Sequence, residues 1–257
     1  MNDSTTPKRV LDYETPQRLP ALNLRNPAVA AYWLVTAALF AAGVLIAFFW
    51  VPEDAEQGPI QRIFYLHLPV AINTFLAFLV CFVASIGYLY QRDSWWDDLA
   101  AAGARVGVQL CAVVLITGMI WGRSAWGVWW TWSPRLTFSL VLFLLYVVYL
   151  VVRSSVESGQ RRAIVSAVYA IVAFLDVPLV YLSTRLMPED IHPRDIALPG
   201  SMKLTLALWF IPVTLAMAGM VIGRFTLSVR QRARQQRLRE IESAETLPAP
   251  ASALRTA

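Results

Sequence analysis

The chain has 257 residues, of which 57% are hydrophobic and only 15% charged, with a formal net charge of +5. Soluble domains run at roughly 45–50% apolar and about 25% charged, so an ordinary globular core is excluded. The positive balance does not point to nucleic acid, because the basic residues gather at the ends of apolar runs and in the C-terminal tail, where membrane orientation and the lipid bilayer explain them.

Residues 1–29 are polar and Pro-rich and read as a cytoplasmic N-terminal segment. No cleavable signal peptide is visible there, so the first apolar run is expected to act as its own insertion signal. Six apolar runs follow: about Ala30–Trp50, Leu68–Tyr90, Ala100–Trp121, Leu136–Val152, Ala163–Ser183 and Lys203–Gly223. Each is close to the roughly 20 residues that cross a hydrocarbon core about 30 Å thick. Backbone polar groups in lipid must bond internally, which makes runs of this length helical. The alternating segments of about ten residues that build a membrane β-barrel are absent from the sequence. The predicted fold class is therefore an all-α membrane protein, a six-span helical bundle covering residues 30–225.

An even number of spans puts both termini on one side. That side carries fourteen Lys and Arg residues, among them Arg92, Arg153, Arg161, Arg162 and the run Arg224–Arg239, against six on the other. The positive-inside rule places both termini in the cytoplasm. Three loops, about 51–67, 121–135 and 184–202, then face outward. Residues 226–257 form a basic cytoplasmic tail. Arg224–Arg239 reads as a helix leaving span six that anchors near anionic lipid, and 242–257 as disordered.

The outward loop after span three runs from Trp121 to Thr137 and holds Trp121, Trp126, Trp129, Trp130 and Trp132, five of the ten tryptophans in the chain. An interfacial belt uses Trp at every helix end. Five in one short loop, with two glycines and two arginines, fit a platform for a flat apolar ligand, since indoles offer large rigid faces. Arg123 and Arg135 offer planar donor forks for carboxylates. The only two histidines, His67 and His192, fall on the same outward face by the charge count. Two imidazoles and an aromatic shelf suit an iron porphyrin: nitrogen for each axial position, indole for the ring and guanidinium for the propionates. A closed zinc site would want four ligands. Cys81 and Cys111 lie inside apolar runs as small core residues, and no Cys-x-x-Cys-His for covalent haem attachment is present.

At this point the residues resemble a family. Trp121-Gly122, Trp126-Gly127, Trp129, Trp132 and Arg135-Leu136-Thr137 resemble the tryptophan-rich WWD signature of haem-handling proteins, in the version of the CcmC family. Arg62 to Pro69 resembles that family's first histidine segment. The resemblance covers about residues 30–225. It implies a protein of the bacterial inner membrane that binds haem b at the periplasmic face, with His67 and His192 as axial ligands of the haem iron. It further implies delivery of haem to the periplasmic chaperone CcmE during c-type cytochrome maturation, in an ABC-transporter-like complex with CcmA, CcmB and the small protein CcmD. Such a protein is a binding and delivery subunit, not an enzyme in its own right. Two departures stand out. Ser133 replaces the family's usual Asp after the last Trp, and Leu186 and Met187 stand where a Trp pair commonly follows the fifth-span ending.

A second reading is a haem-lyase-type subunit, like the CcmF and CcsA families that share the WWD loop and ligate haem to apocytochrome thiols. Those families are usually longer or carry more spans and histidines. A third is a structural membrane subunit anchored by its Trp loop. Within the spans, Asp176 must face the bundle or water, with Asn73 and Gln109 as its candidate partners. Pro178 and Pro212 are predicted to kink their helices.

Overall fold

The computed structural model describes residues 26–156, 159–186 and 198–245. Helix α1 spans Pro27–Leu45 and ends in a π-helical turn, Ile46–Trp50; a short 3₁₀ turn, Pro59–Arg62, leads into α2, Ile63–Gln91. Then follow α3 (Ser94–Trp126), α4 (Pro134–Ser155), α5 (Gly159–Phe174), α6 (Asp176–Leu186) and α7 (Gly200–Glu245). Six of these segments are long and apolar enough to cross a membrane, α5 and α6 together making one of them. The protein is a multi-pass helical membrane protein, as its apolar runs predict.

Local chemistry sets the helix ends. Asn26 caps α1, its side chain accepting from the Ala28 amide at 3.0 Å, with Pro27 at the first position, where the missing N–H is harmless. Helix α2 stops at Arg92, held at φ 59°, whose amide donates to the Tyr88 carbonyl at 2.8 Å. Asp93 then caps α3 by accepting from the Trp95 amide at 2.9 Å. A two-residue turn thus folds α2 and α3 into a tight antiparallel hairpin, the spine of the bundle.

Small residues let that hairpin close. A Cβ on Gly103 would lie 2.8 Å from the Ala77 carbonyl oxygen, and one on Gly107 would enter the Phe78 ring. Phe78 in turn stacks on Tyr146 of α4, with ring centroids 3.7 Å apart. On the other flank α1 packs against α7, where the Tyr32 hydroxyl donates to the Leu215 carbonyl at 2.5 Å.

At the end of the bundle near the α2–α3 turn, three helices meet in buried ion pairs. Arg153 of α4 reaches both carboxylate oxygens of Asp97 at 2.5 and 2.7 Å, and Arg232 of α7 reaches Asp98 at 2.6 Å. Asp97, Asp98 and Arg153 are all buried.

Several sequence-based expectations need correction. The spans are longer than their apolar runs: the third extends to Ser94–Trp126 rather than Ala100–Trp121, and α7 runs to Glu245, so residues 242–245 are helical rather than disordered. Capping and packing extend helices past the residues that hydropathy marks. The fifth span is broken at Leu175. Pro178 has no N–H to donate to the Phe174 carbonyl one turn back, and α6 restarts at Asp176. Helix α7 continues across Pro212 without such a break. Asp176 is buried, but neither expected partner bonds it. The Asn73 amide donates to the Pro69 carbonyl at 2.9 Å, Gln109 is exposed, and Asp176 Oδ2 has no hydrogen-bond partner among the described residues.

Candidate functional site

The opposite end of the bundle carries the Trp121–Trp132 segment. It is built first by the segment between α1 and α2. Asp54 Oδ1 accepts from the amides of Glu56 (3.0 Å) and Gln57 (2.9 Å), and Gly58, at φ 61°, turns the chain toward α2. That turn brings Gln57 Oε1 within 2.8 Å of the indole nitrogen of Trp121, which donates to it. Arg62 lies over the Phe48 ring at 5.3 Å and within 3.6 Å of Glu53.

His67 sits on the second turn of α2, not in the preceding loop, because the helix begins at Ile63. Its Nδ1 lies 2.8 Å from the Thr117 hydroxyl of α3. The imidazole meets Trp121 edge-on, with centroids 5.8 Å apart. Gly118 completes the contact: a Cβ there would lie 3.3 Å from His67 Cε1.

The Trp segment is also partly helical. Trp121, Arg123 and Trp126 belong to the last turns of α3, and only Gly127–Ser133 link α3 to α4. Gly127, at φ 77°, ends the helix, and its carbonyl accepts a hydrogen bond from Arg123 Nη1. The five tryptophans do not form one flat shelf. Trp121 is buried and stacks on Trp126 at 6.2 Å, while Trp130 and Trp132 make an edge-on pair at 5.9 Å. Trp129 and Trp132 are exposed, at 60% and 76%. Arg135 is half-buried on the first turn of α4.

Trp126, Trp129 and Trp130, with Gly118, Met119, Gly122, Val128, Thr131 and Leu136, line a cleft of about 270 Å³ including its open mouth. Most of that space is open solvent, so the cleft is a shallow groove and not an enclosed pocket of the roughly 300–1,000 Å³ usual for small-molecule sites. Gly118 belongs both to the cleft wall and to the His67 contact, while the imidazole itself does not line the cleft. Buried donors in the linker also lack partners among the described residues: Trp130 Nε1, Thr131 Oγ1 and Ser133 Oγ. Ser133 occupies the cap position of α4 without making a side-chain cap bond.

His67, Trp121, Trp126, Trp129 and Trp130 thus meet at one rim. His192 lies outside the described residues, as does Met187. Sequence reasoning missed Thr117, Gly118 and Gln57. A signal for Thr117 did exist: His67 lies 25 residues before Arg92 and Thr117 lies 24 after Asp93, so a hairpin turning there sets them side by side.

Fold and site together define a six-span membrane protein with an imidazole and a tryptophan cleft at one rim. A family model, CcmC, described as "Heme exporter protein C", matches residues 10–244. Among curated relatives, the chain is 30% identical to "Heme exporter protein C" of Paracoccus denitrificans over 223 residues, covering 85% of this chain and 92% of that one. It is 28% identical to the protein of the same name from Rhodobacter capsulatus over 220 residues, 84% and 91% of the two chains. The Escherichia coli K12 protein of that name is 32% identical over 157 residues, 60% of this chain and 63% of its own. The chain belongs to the CcmC, heme exporter protein C, family.

Proposed function

We propose that this protein binds haem b at the periplasmic rim of the bacterial inner membrane and delivers it to the chaperone CcmE during c-type cytochrome maturation. The observation that carries the reading is that Gly118 is neighbour both to His67 and to the tryptophan cleft, so both lie at one rim. Family membership supports a part in haem handling for cytochrome c maturation. The excess of Lys and Arg at the other end supports cytoplasmic termini.

The residues present fit a porphyrin carrying carboxylates. His67 supplies an imidazole nitrogen, Trp126 and Trp129 supply apolar ring faces, and Trp130 Nε1 and Thr131 Oγ1 are donors that lack protein partners among the described residues. In this reading His67 and His192 are the axial ligands. Arg135 and Arg123 face the propionates, although the backbone bond of Arg123 to Gly127 must loosen for it to do so. Trp121 serves from beneath: fixed by Gln57, it backs His67 and Trp126 instead of offering its own face.

The protein's part is positional. It presents nitrogen donors and excludes water along the indole face, and it leaves covalent chemistry to the acceptor protein, so it is not an enzyme on its own. CcmA, CcmB and CcmD are its proposed membrane partners. The test is purification of the His67→Gly, His192→Gly and double variants. Loss of bound haem and of its axial-imidazole absorption is expected, most completely in the double variant. An unchanged Soret band in the double variant would refute the ligand assignment.

A further inference from the structure

We propose that Thr117 is a positioning residue for His67, holding the imidazole as the Nδ1–H tautomer so that Nε2 is the nitrogen presented to the iron. The inference rests on the proposed role of His67 as an axial ligand.

Proton counting carries it. The Thr117 Oγ1 lies 2.7 Å from the Val113 carbonyl oxygen, one turn back in α3, and 3.2 Å from that of Val114. Two oxygens at 2.7 Å need a proton between them, and a carbonyl has none, so the hydroxyl donates it. Threonine in a helix commonly makes this backward bond. With its one proton directed to the backbone, Oγ1 can only accept from the ring nitrogen 2.8 Å away. The hydrogen of the neutral imidazole therefore sits on Nδ1, and the lone pair on Nε2.

The neighbours fix the ring plane as well as the tautomer. Trp121, one helical turn after Thr117 on the same face of α3, meets the imidazole at an interplanar angle of 71°. Gly118 leaves no side chain to push against Cε1. The arrangement follows the general logic of metal-binding histidines, whose second nitrogen donates to an oxygen that sets orientation and raises the basicity of the ligating one. In this chain the oxygen is a threonine hydroxyl on the adjacent helix. Substitution of such outer partners typically weakens metal binding about 10- to 100-fold.

The two histidines of the chain make the tautomer directly measurable. Full-length protein labelled with ¹⁵N-histidine, in lipid nanodiscs without haem, is compared with its His192→Gly variant to assign the His67 signals. The Nδ1–H tautomer is expected to predominate at neutral pH. Thr117→Val, nearly the same shape, is expected to abolish that preference and weaken haem binding about 10- to 100-fold. Thr117→Ser, which keeps the hydroxyl, is expected to restore both. An Nε2–H tautomer in the unmodified protein overturns the proposal however any variant folds. So does a Thr117→Val protein with unaltered tautomer, or with unaltered haem affinity and axial spectrum. By contrast, haem binding and spectrum that survive His67→Gly defeat the ligand role of His67 itself. A wrong tautomer in a protein that still needs His67 for haem defeats only the role of Thr117.

Discussion

The two ends of the bundle differ in how their buried polar groups are paired, although Asp98 Oδ2 at the ionic end also lacks a hydrogen-bond partner among the described residues. Near the α2–α3 turn, Arg153 and Arg232 answer Asp97 and Asp98 in close pairs that join α3, α4 and α7. At the far rim, Trp130, Thr131 and Ser133 keep buried donor atoms without partners among the described residues, and the indoles of Trp126, Trp129 and Trp132 stand exposed. An unsatisfied buried donor is unfavourable by about 1–3 kcal/mol. In the proposed function these donors are available to a ligand, whereas the ionic end is tied together by its charge pairs. The comparison also separates two uses of arginine. Arg153 is held in a bidentate pair, while Arg135 opens a helix beside the cleft.

The contrast breaks most sharply at Asp97. Asp97→Ala strands the buried Arg153 guanidinium and is expected to lower stability by about 3–5 kcal/mol, because an uncompensated buried charge remains. Thermal unfolding in detergent would register it, with the haem spectrum of the folded fraction unaltered. The double variant Asp97→Ala/Arg153→Met should recover most of the loss. If it proves as unstable as the single variant, the pairing is not what holds this end together.

Gly107 tests the spine that keeps the two ends in register. Gly107→Ala drives a methyl into the Phe78 ring and, through the Phe78–Tyr146 stack, disturbs α4. The expected loss is about 1–3 kcal/mol, the usual range for overpacking. It would appear in the same unfolding measurement.

At the rim the signs should reverse. Trp129 is exposed, so Trp129→Ala should leave the melting temperature in place. An aromatic contact of about 0.5–1.5 kcal/mol with the ligand would be lost, which is a two- to twelve-fold weaker haem titration. A fall in melting temperature with no change in affinity would make Trp129 a packing residue and blur the distinction between the ends.

A milder version of the Asp97 loss is expected at Arg232, which retains 27% side-chain exposure but pairs with the buried Asp98. Arg232→Ala leaves the Asp98 carboxylate without this partner and should destabilise by about 1–3 kcal/mol, less than Asp97→Ala because water reaches the arginine's place. The difference from the unmodified protein should shrink as salt is raised. Loss of haem from this variant would mean that the ionic end communicates with the tryptophan rim.

Much of this was legible along the chain. The six spans follow from apolar runs of about 20 residues, because lipid permits an uncovered run of that length only one regular structure, the helix. The WWD-like pattern around Trp121–Thr137 carried the family, and His67 could be placed at a rim from the position of Lys and Arg alone. Which side chains meet was not legible, since that depends on the register between helices. The Arg92–Asp93 turn and the bare backbone of Gly103 and Gly107 set α2 against α3, and that packing puts Thr117 beside His67, sinks Trp121 under the surface and brings Arg153 to Asp97. Hydropathy is a local property of each segment. Contact between segments is decided only when helices approach closely enough for single side chains to find or lose their place.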